Sequence, residues 1–217
     1  MQIAIGLFPG FTALDAIGPY AVFTNVPDAT VVVCADRIGR LSDESNLLHL
    51  EIEHRFEDVP SPDLLLVPGG LATRRIAAAG GPIVDWIRGA DPTTAYTTSV
   101  CTGALLLGAA GILAGRRATT HWMAYDHLRR YGADPTEERV VTDGKVITAA
   151  GVSAGIDLAL TVVDRLYGPE TAQAIQLGIE YDPQPPHDTG APSKAPPEIR
   201  DLVAGVMTAA EAQLAPT

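Results

Sequence analysis

Thr97-Thr98-Ser99-Val100-Cys101-Thr102-Gly103-Ala104 is the stretch on which the architecture turns. Thr94 to Ser99 is a threonine-rich β run, and Ala104 to Ala110 is a helical run of small residues and leucines that stops at Gly111. A cysteine lodged where strand becomes helix is a nucleophile elbow with sulfur in place of a serine hydroxyl. So sharp a turn brings the two backbones together, and the flanking positions must be small, as Ser99 and Gly103 are. The turn should present sulfur at the carboxyl end of a sheet, where open α/β folds bind ligands. It should also set the thiol at a helix N-terminus, whose dipole favours thiolate. Cys101 is therefore expected to be solvent-reachable and to oxidise before Cys34. The latter ends a Val31-Val32-Val33 run and reads as a buried, inert thiol.

Working outward, short β-branched runs alternate with helical ones. Strands are expected at Ile3 to Phe8, Thr30 to Ala35, Leu64 to Val67, Ala118 to Thr120 and Val146 to Thr148, with a peripheral strand or hairpin arm at Leu47 to Ile52. Helices are expected at Thr12 to Thr24, disturbed midway by Gly18-Pro19, and at Ile83 to Arg88, Ala154 to Leu166 and Pro169 to Leu177. This alternation argues for a parallel sheet covered on both faces. Residues 182 to 197 are proline-rich, and the amphipathic run Ile199, Leu202, Val203, Val206 after them argues for a closing helix that docks on the domain.

The 217 residues fit one domain, 1–217, with 47% hydrophobic and 19% charged residues, an ordinary globular balance. A formal net charge of −11 repels phosphate backbones and anionic bilayers, so neither nucleic acid nor membrane is expected as a partner. Met1 to Gly6 has no basic n-region and reads as a first strand rather than a signal peptide. No apolar run is long enough to span a bilayer. Two cysteines give no disulfide framework, which points to a reducing compartment, the cytoplasm.

Two further segments bear on Cys101. Pro68-Gly69-Gly70 follows a buried strand. Its glycines either let backbone N–H groups approach a ligand, forming an oxyanion-type hole with the N–H of Thr102, or make a plain turn. In Leu14-Asp15-Ala16-Ile17-Gly18-Pro19, Asp15 reads either as a carboxyl whose protonation is perturbed beside the thiol, able to shuttle protons, or as a first-turn acid that stabilises a helix dipole. His49, His54, His127 and His187 lack metal-ligand spacing and read as surface residues. Gly69-Gly70 is not a phosphate loop, since no Gly-Lys-Ser/Thr follows.

A longer set of motifs is specific. Thr97 and Ser99 to Ala104, Gly108-Ala109-Ala110-Gly111, and Gly115 to Trp122 resemble the DJ-1/PfpI superfamily. So do Gly151, Ala154-Gly155-Ile156-Asp157, Gln176 to Tyr181, Pro183, Pro185-Pro186 and Gly190, so that the likeness runs over nearly the whole chain. That resemblance implies a flavodoxin-like, doubly wound α/β fold and a homodimer. Within the superfamily, Leu14-Asp15, Thr102 and the Glu180-Tyr181 to Pro186 tail are similar to isocyanide hydratases, which would add water to a small-molecule isocyanide and need no cofactor. The resemblance makes Cys101 the nucleophile and puts Asp15 where most relatives carry glutamate. It makes Thr102 a third essential group, Gly70 and Thr102 the backbone donors, and His121 a residue near the pocket. For His121, capping the end of the Thr119-Thr120 strand is an equal alternative. The superfamily's proteases carry histidine after the cysteine; Thr102 stands there instead, so no Cys–His dyad is expected. Two rival functions share the thiol: a redox sensor or regulator, though the chain ends at Thr217, too soon for a helix-turn-helix module, and a glyoxalase-like enzyme.

Overall fold

The computed structural model describes residues 1–213. Its strands are β1 (Gln2–Gly6), β2 (Thr30–Ala35), β3 (Gly39–Ser42), β4 (His49–Ile52), β5 (His54–Arg55), β6 (Leu64–Val67), β7 (Tyr96–Val100), β8 (Arg117–Ala118), β9 (Asp134–Pro135), β10 (Val140–Asp143) and β11 (Val146–Ala149). Its helices are α1 (Ala13–Phe23), α2 (Thr73–Ala79), α3 (Pro82–Ala90), α4 (Gly103–Ala109), α5 (Tyr125–Arg130), α6 (Ala154–Tyr167), α7 (Pro169–Gly178) and α8 (Pro197–Gln213).

The main sheet runs β10-β11-β7-β6-β1-β2-β5, with only the β10–β11 pair antiparallel. Leu64 to Val67 are all buried, as a parallel strand covered on both faces requires. Helices α1, α6 and α7 pack together as one group, and α2 and α3 pack on α4 as another. This is the doubly wound, flavodoxin-like arrangement expected from the sequence. From β1 the chain steps outward to β2, then crosses back to β6 on the other side of β1. At such a reversal the loops after neighbouring strands splay apart and leave a crevice. The first turn of α1, which follows β1, carries Asp15, and the turns after β6 and β7 carry Gly69-Gly70 and Cys101.

The Leu47 to Ile52 run is a hairpin arm, β4, paired antiparallel with β3 outside the main sheet. Four expectations need correction. Gly18-Pro19 does not interrupt α1, which is continuous from Ala13 to Phe23. Both residues are buried against α6, where a Cβ on Gly18 would lie 3.0 Å from Ile156 and one on Gly155 would lie 3.0 Å from Pro19. Close helix packing outweighs the lost hydrogen bond. The Ala118 to Thr120 strand stops at Ala118 and pairs only with β9. Beyond it, Thr119 N–H donates to the Thr148 hydroxyl at 2.8 Å, and the Thr120 hydroxyl donates to the Cys101 carbonyl at 2.9 Å, so side chains replace the ladder. Helices α2 and α5 and the edge strand β10 are additional elements, in short segments of weak periodicity. Finally, α8 forms but does not dock: Ile199, Leu202, Val203 and Val206 remain 39–62% exposed. Amphipathic spacing says that a face wants cover, not which surface supplies it.

The elbow fixes the junction of β7 and α4. A Cβ on Gly103 would lie 2.3 Å from the Val67 carbonyl oxygen and 2.7 Å from that of Pro68, both rigid backbone. Gly103→Ala should therefore lower stability by ~1–3 kcal/mol or more in denaturant unfolding. Gly205→Ala, in α8 with open space at its Cβ, should instead be neutral or gain up to about 1 kcal/mol. Equal effects would mean that the elbow is looser than its geometry.

Candidate active site

Cys101 adopts φ +55°, the left-handed region that an elbow imposes on a residue with a side chain, at a cost of roughly 1–3 kcal/mol. Surrounding bonds hold it there. Its N–H is shared between the carbonyls of Ala149, at 3.1 Å, and Ala150, at 2.9 Å, and its own carbonyl accepts from Thr120. The sulfur receives the backbone N–H groups of Val152 and Thr102 and faces the Thr102 hydroxyl. Val152, a β-branched residue at φ +30°, is a second strained position against the same sulfur.

Asp15 comes from the first turn of α1 and is fully buried. Its Oδ2 accepts the Gly69 N–H at 2.8 Å, and its buried Oδ1 has no partner beyond the Cys101 thiol. Burial lifts its pKa to about 7; Glu44's negative charge adds to the rise, while the Gly69 and Cys101 contacts hold it back. Burial, then the charge of Asp15, pushes the Cys101 thiol up to about 12. Each group resists ionising while the other is charged, so the pair holds its last proton jointly. The expectation of a solvent-reachable, readily ionised thiol is thus corrected. Cys101 is only 6% exposed, and burial also lifts Cys34 to about 12. Helix α4 is short, and desolvation outweighs what its N-terminus can give.

The Gly69-Gly70 turn fits between these groups because it has no side chains. A Cβ on Gly69 would lie 2.7 Å from Thr102 N and Oγ1 and 2.8 Å from Asp15 Oδ2, and one on Gly70 would lie 2.4 Å from the Gly10 carbonyl oxygen. The Gly70 N–H donates to Thr102 Oγ1 at 3.0 Å, and that hydroxyl's own proton has two acceptors, the Gly70 carbonyl at 3.2 Å and the sulfur. In this state neither glycine N–H is open to a ligand.

His121 lies one loop away. Its Nδ1 accepts the Met123 N–H at 3.4 Å, a weak cap, and burial, with Arg74's charge second, lowers its pKa to about 4, so it is neutral near pH 7. It also lines a cleft of about 490 Å³ with Trp122, Tyr125, Arg139, Val152 and Gly190. Gly151 lines the cleft too, where a Cβ would lie 3.0 Å from the His121 ring, and its neighbour Val152 both lines it and directs its N–H at the sulfur. Sequence reading brings Cys101, Asp15, Thr102 and Gly70 to one point but misses Val152, Ala149 and Ala150. These act through their backbone, and nothing in their side chains signals it. It also misses the clamp beside the cleft, in which Arg139 Nε and the Tyr181 hydroxyl donate to Asp157 Oδ2 at 2.7 and 3.2 Å.

The chain is similar in sequence and fold to known proteins. The chain is 45% identical over 208 residues to the isonitrile hydratase of Pseudomonas putida, covering 93% of this chain and 87% of that protein. It is 35% identical to the HTH-type transcriptional regulator CdhR of Pseudomonas aeruginosa over 63% of this chain but only 40% of the regulator. A crystal structure of a ThiJ/PfpI family protein from Pseudomonas syringae superposes with a TM-score of 0.88 at 36% identity, covering 97% of this chain and 89% of that one. Schizosaccharomyces pombe DJ-1 shares the fold, at a TM-score of 0.70 and 14% identity. The DJ-1/PfpI family model matches residues 1–165, elbow, glycine turn and Asp15 included, and the chain belongs to the DJ-1/PfpI family.

Proposed function

We propose that this protein is an isocyanide hydratase that converts an organic isocyanide and water into an N-substituted formamide, with Cys101 as nucleophile and no cofactor. The observation that carries this is the fully buried Asp15 carboxyl set against the Cys101 thiol, burial raising the proton affinity of both, in a chain 45% identical to an isonitrile hydratase. An isocyanide carbon is electrophilic, then basic once attacked, and has no leaving group. It calls for a soft nucleophile and a proton delivered to carbon, not for an ionised thiol waiting in water. Sulfur attacks the terminal carbon as the pair's proton passes through Asp15 to that carbon, giving a thioimidate, R–N=CH–S–Cys101. Asp15, now a carboxylate, takes a proton from water as the water oxygen adds to the same carbon and hands that proton to the nitrogen, which leaves R–NH–CH(OH)–S–Cys101 with the hydroxyl proton to return to sulfur. The C–S bond then breaks, the formamide leaves, and the thiol recovers its proton.

Thr102 fits a gate in this scheme. Its hydroxyl occupies the Gly70 N–H and turns toward either sulfur or carbonyl. The cleft beside His121, Trp122 and Tyr125 takes the substituent of the isocyanide. The same burial weighs against a peroxide sensor, whose thiol must be ionised and open to solvent. A homodimer fits the surface next to the site: Leu14, Ile17 and Tyr20 lie exposed on α1 on either side of Asp15. Among the described residues no helix is long and apolar enough to cross a membrane, and a cytoplasmic location accords with two free cysteines.

Wild-type protein quenched early in turnover should carry one isocyanide mass on the peptide containing Cys101, and Cys101→Ser and Cys101→Ala should be almost equally inactive. Formamide production by Cys101→Ala would refute the covalent route.

Asp15→Asn separates chemistry from stability. A carboxyl raised from 3.8 to about 7 on folding costs nothing below 3.8. The penalty grows between 3.8 and about 7 as the unfolded state ionises, and is full above 7. At pH 8 the variant should therefore lose turnover yet gain on the order of 1–4 kcal/mol of stability, with no gain at pH 3.5. Retained turnover, or a loss of stability at pH 8, would return Asp15 to a first-turn acid.

Light scattering at micromolar concentration should give twice the chain mass, and Tyr20→Glu should shift it toward one. A wild-type monomer with full activity would exclude the dimer.

A further inference from the structure

On the far side of the Gly10–Gly70 contact lies a second cleft, of about 510 Å³, whose lining includes Pro9, Gly10, Leu71 and Ala72 together with Arg37, Arg40 and Arg75. The arginines come from different elements: Arg37 from the loop after β2, Arg40 from β3 and Arg75 from α2. All three are exposed, and none makes an ion pair or side-chain hydrogen bond with the described residues. Two carboxylates share the cleft, yet both are engaged elsewhere. Asp43 accepts from the Ser45 hydroxyl and the N–H groups of Leu47 and Leu48, which hold its pKa low, and Glu44 accepts from the Thr12 hydroxyl. Arginines elsewhere on the chain are commonly paired, as Arg55, Arg88, Arg116, Arg117, Arg129 and Arg139 are.

A chain of net charge −11 has acids to spare for surface arginines. Three guanidinium groups left without acceptors around one concavity, with its own carboxylates turned to backbone and hydroxyl donors, make a site of local positive charge against the sign of the molecule. Guanidinium forks bind planar or tetrahedral oxyanions by paired, charge-assisted hydrogen bonds. The walls are anchored, with the Gly10 N–H on the Ser42 carbonyl at 3.0 Å and the Glu44 N–H on the Phe11 carbonyl at 2.9 Å, so β3 and the loop before α1 hold the cleft open as a unit.

We propose that the Arg37–Arg40–Arg75 cleft binds the oxyanion of a small molecule, a phosphate or a carboxylate. It is separate from the Cys101 site and independent of whether the chain hydrates isocyanides. Titrating the full-length protein by calorimetry at constant ionic strength, with inorganic phosphate in one arm and succinate in the other, tests this and tells the two sources apart. Saturable binding of at least one probe, one per chain, is expected at millimolar concentration or below. Arg37→Ala and Arg75→Ala should each weaken it roughly tenfold. Arg88→Ala, whose guanidinium is paired with Asp85 on α3, and Cys101→Ala should leave it unchanged. Circular dichroism of each variant verifies its fold. No saturation by either probe, or saturation that survives Arg37→Ala and Arg75→Ala alike, would overturn the assignment.

Discussion

Two acids buried side by side are the constraint around which this molecule is organised. Asp15 and Cys101 cannot both be charged, because neither has water to solvate it and each raises the cost of ionising the other. Nor is either left without support. The Gly69 N–H bonds one carboxyl oxygen, and the N–H groups of Thr102 and Val152 point to the sulfur. These fixed dipoles stabilise negative charge on whichever partner bears it, without supplying a proton that would end the competition. Glycine at position 69 follows directly, since any Cβ would collide with Thr102 and the carboxylate at once.

The protein invests backbone strain to hold the pair. Cys101 and Val152 both sit at positive φ, and the bonds to Ala149, Ala150 and Thr120 keep the elbow from relaxing. Such strain persists only where the surrounding structure over-determines it. Here that structure is the centre of a parallel sheet, with Ser99 in register with Val67 on one side and Thr148 on the other. The burial that sets the proton affinity is therefore the same burial that makes the strand core.

The central strands were legible because buried parallel strands are unbroken apolar runs ended by glycine or proline, as at Leu64 to Val67 before Pro68. The elbow was legible because its steric rule selects Ser99 and Gly103. What escaped was whatever depends on context. Gly18-Pro19 looks like a breaker until Ile156 is seen against Gly18 and Gly155 against Pro19. Val152 looks like a core valine, and its contribution is one N–H. The ionisation of Cys101 departs from its sequence position for a related reason. Position at a helix start can be read from sequence, but the depth of water exclusion is a property of the assembled fold, and here it dominates. The exposed stripe of α8 shows the same limit, since a pattern carries no address.

The groups around the sulfur come from positions 15, 69, 102 and 152, each on a different strand-to-helix crossover. No contiguous piece shorter than about two thirds of the chain contains them all. The geometry around the sulfur is therefore a property of the assembled sheet and not of any single segment. The burial that folding brings withdraws Cys101 from general thiol chemistry.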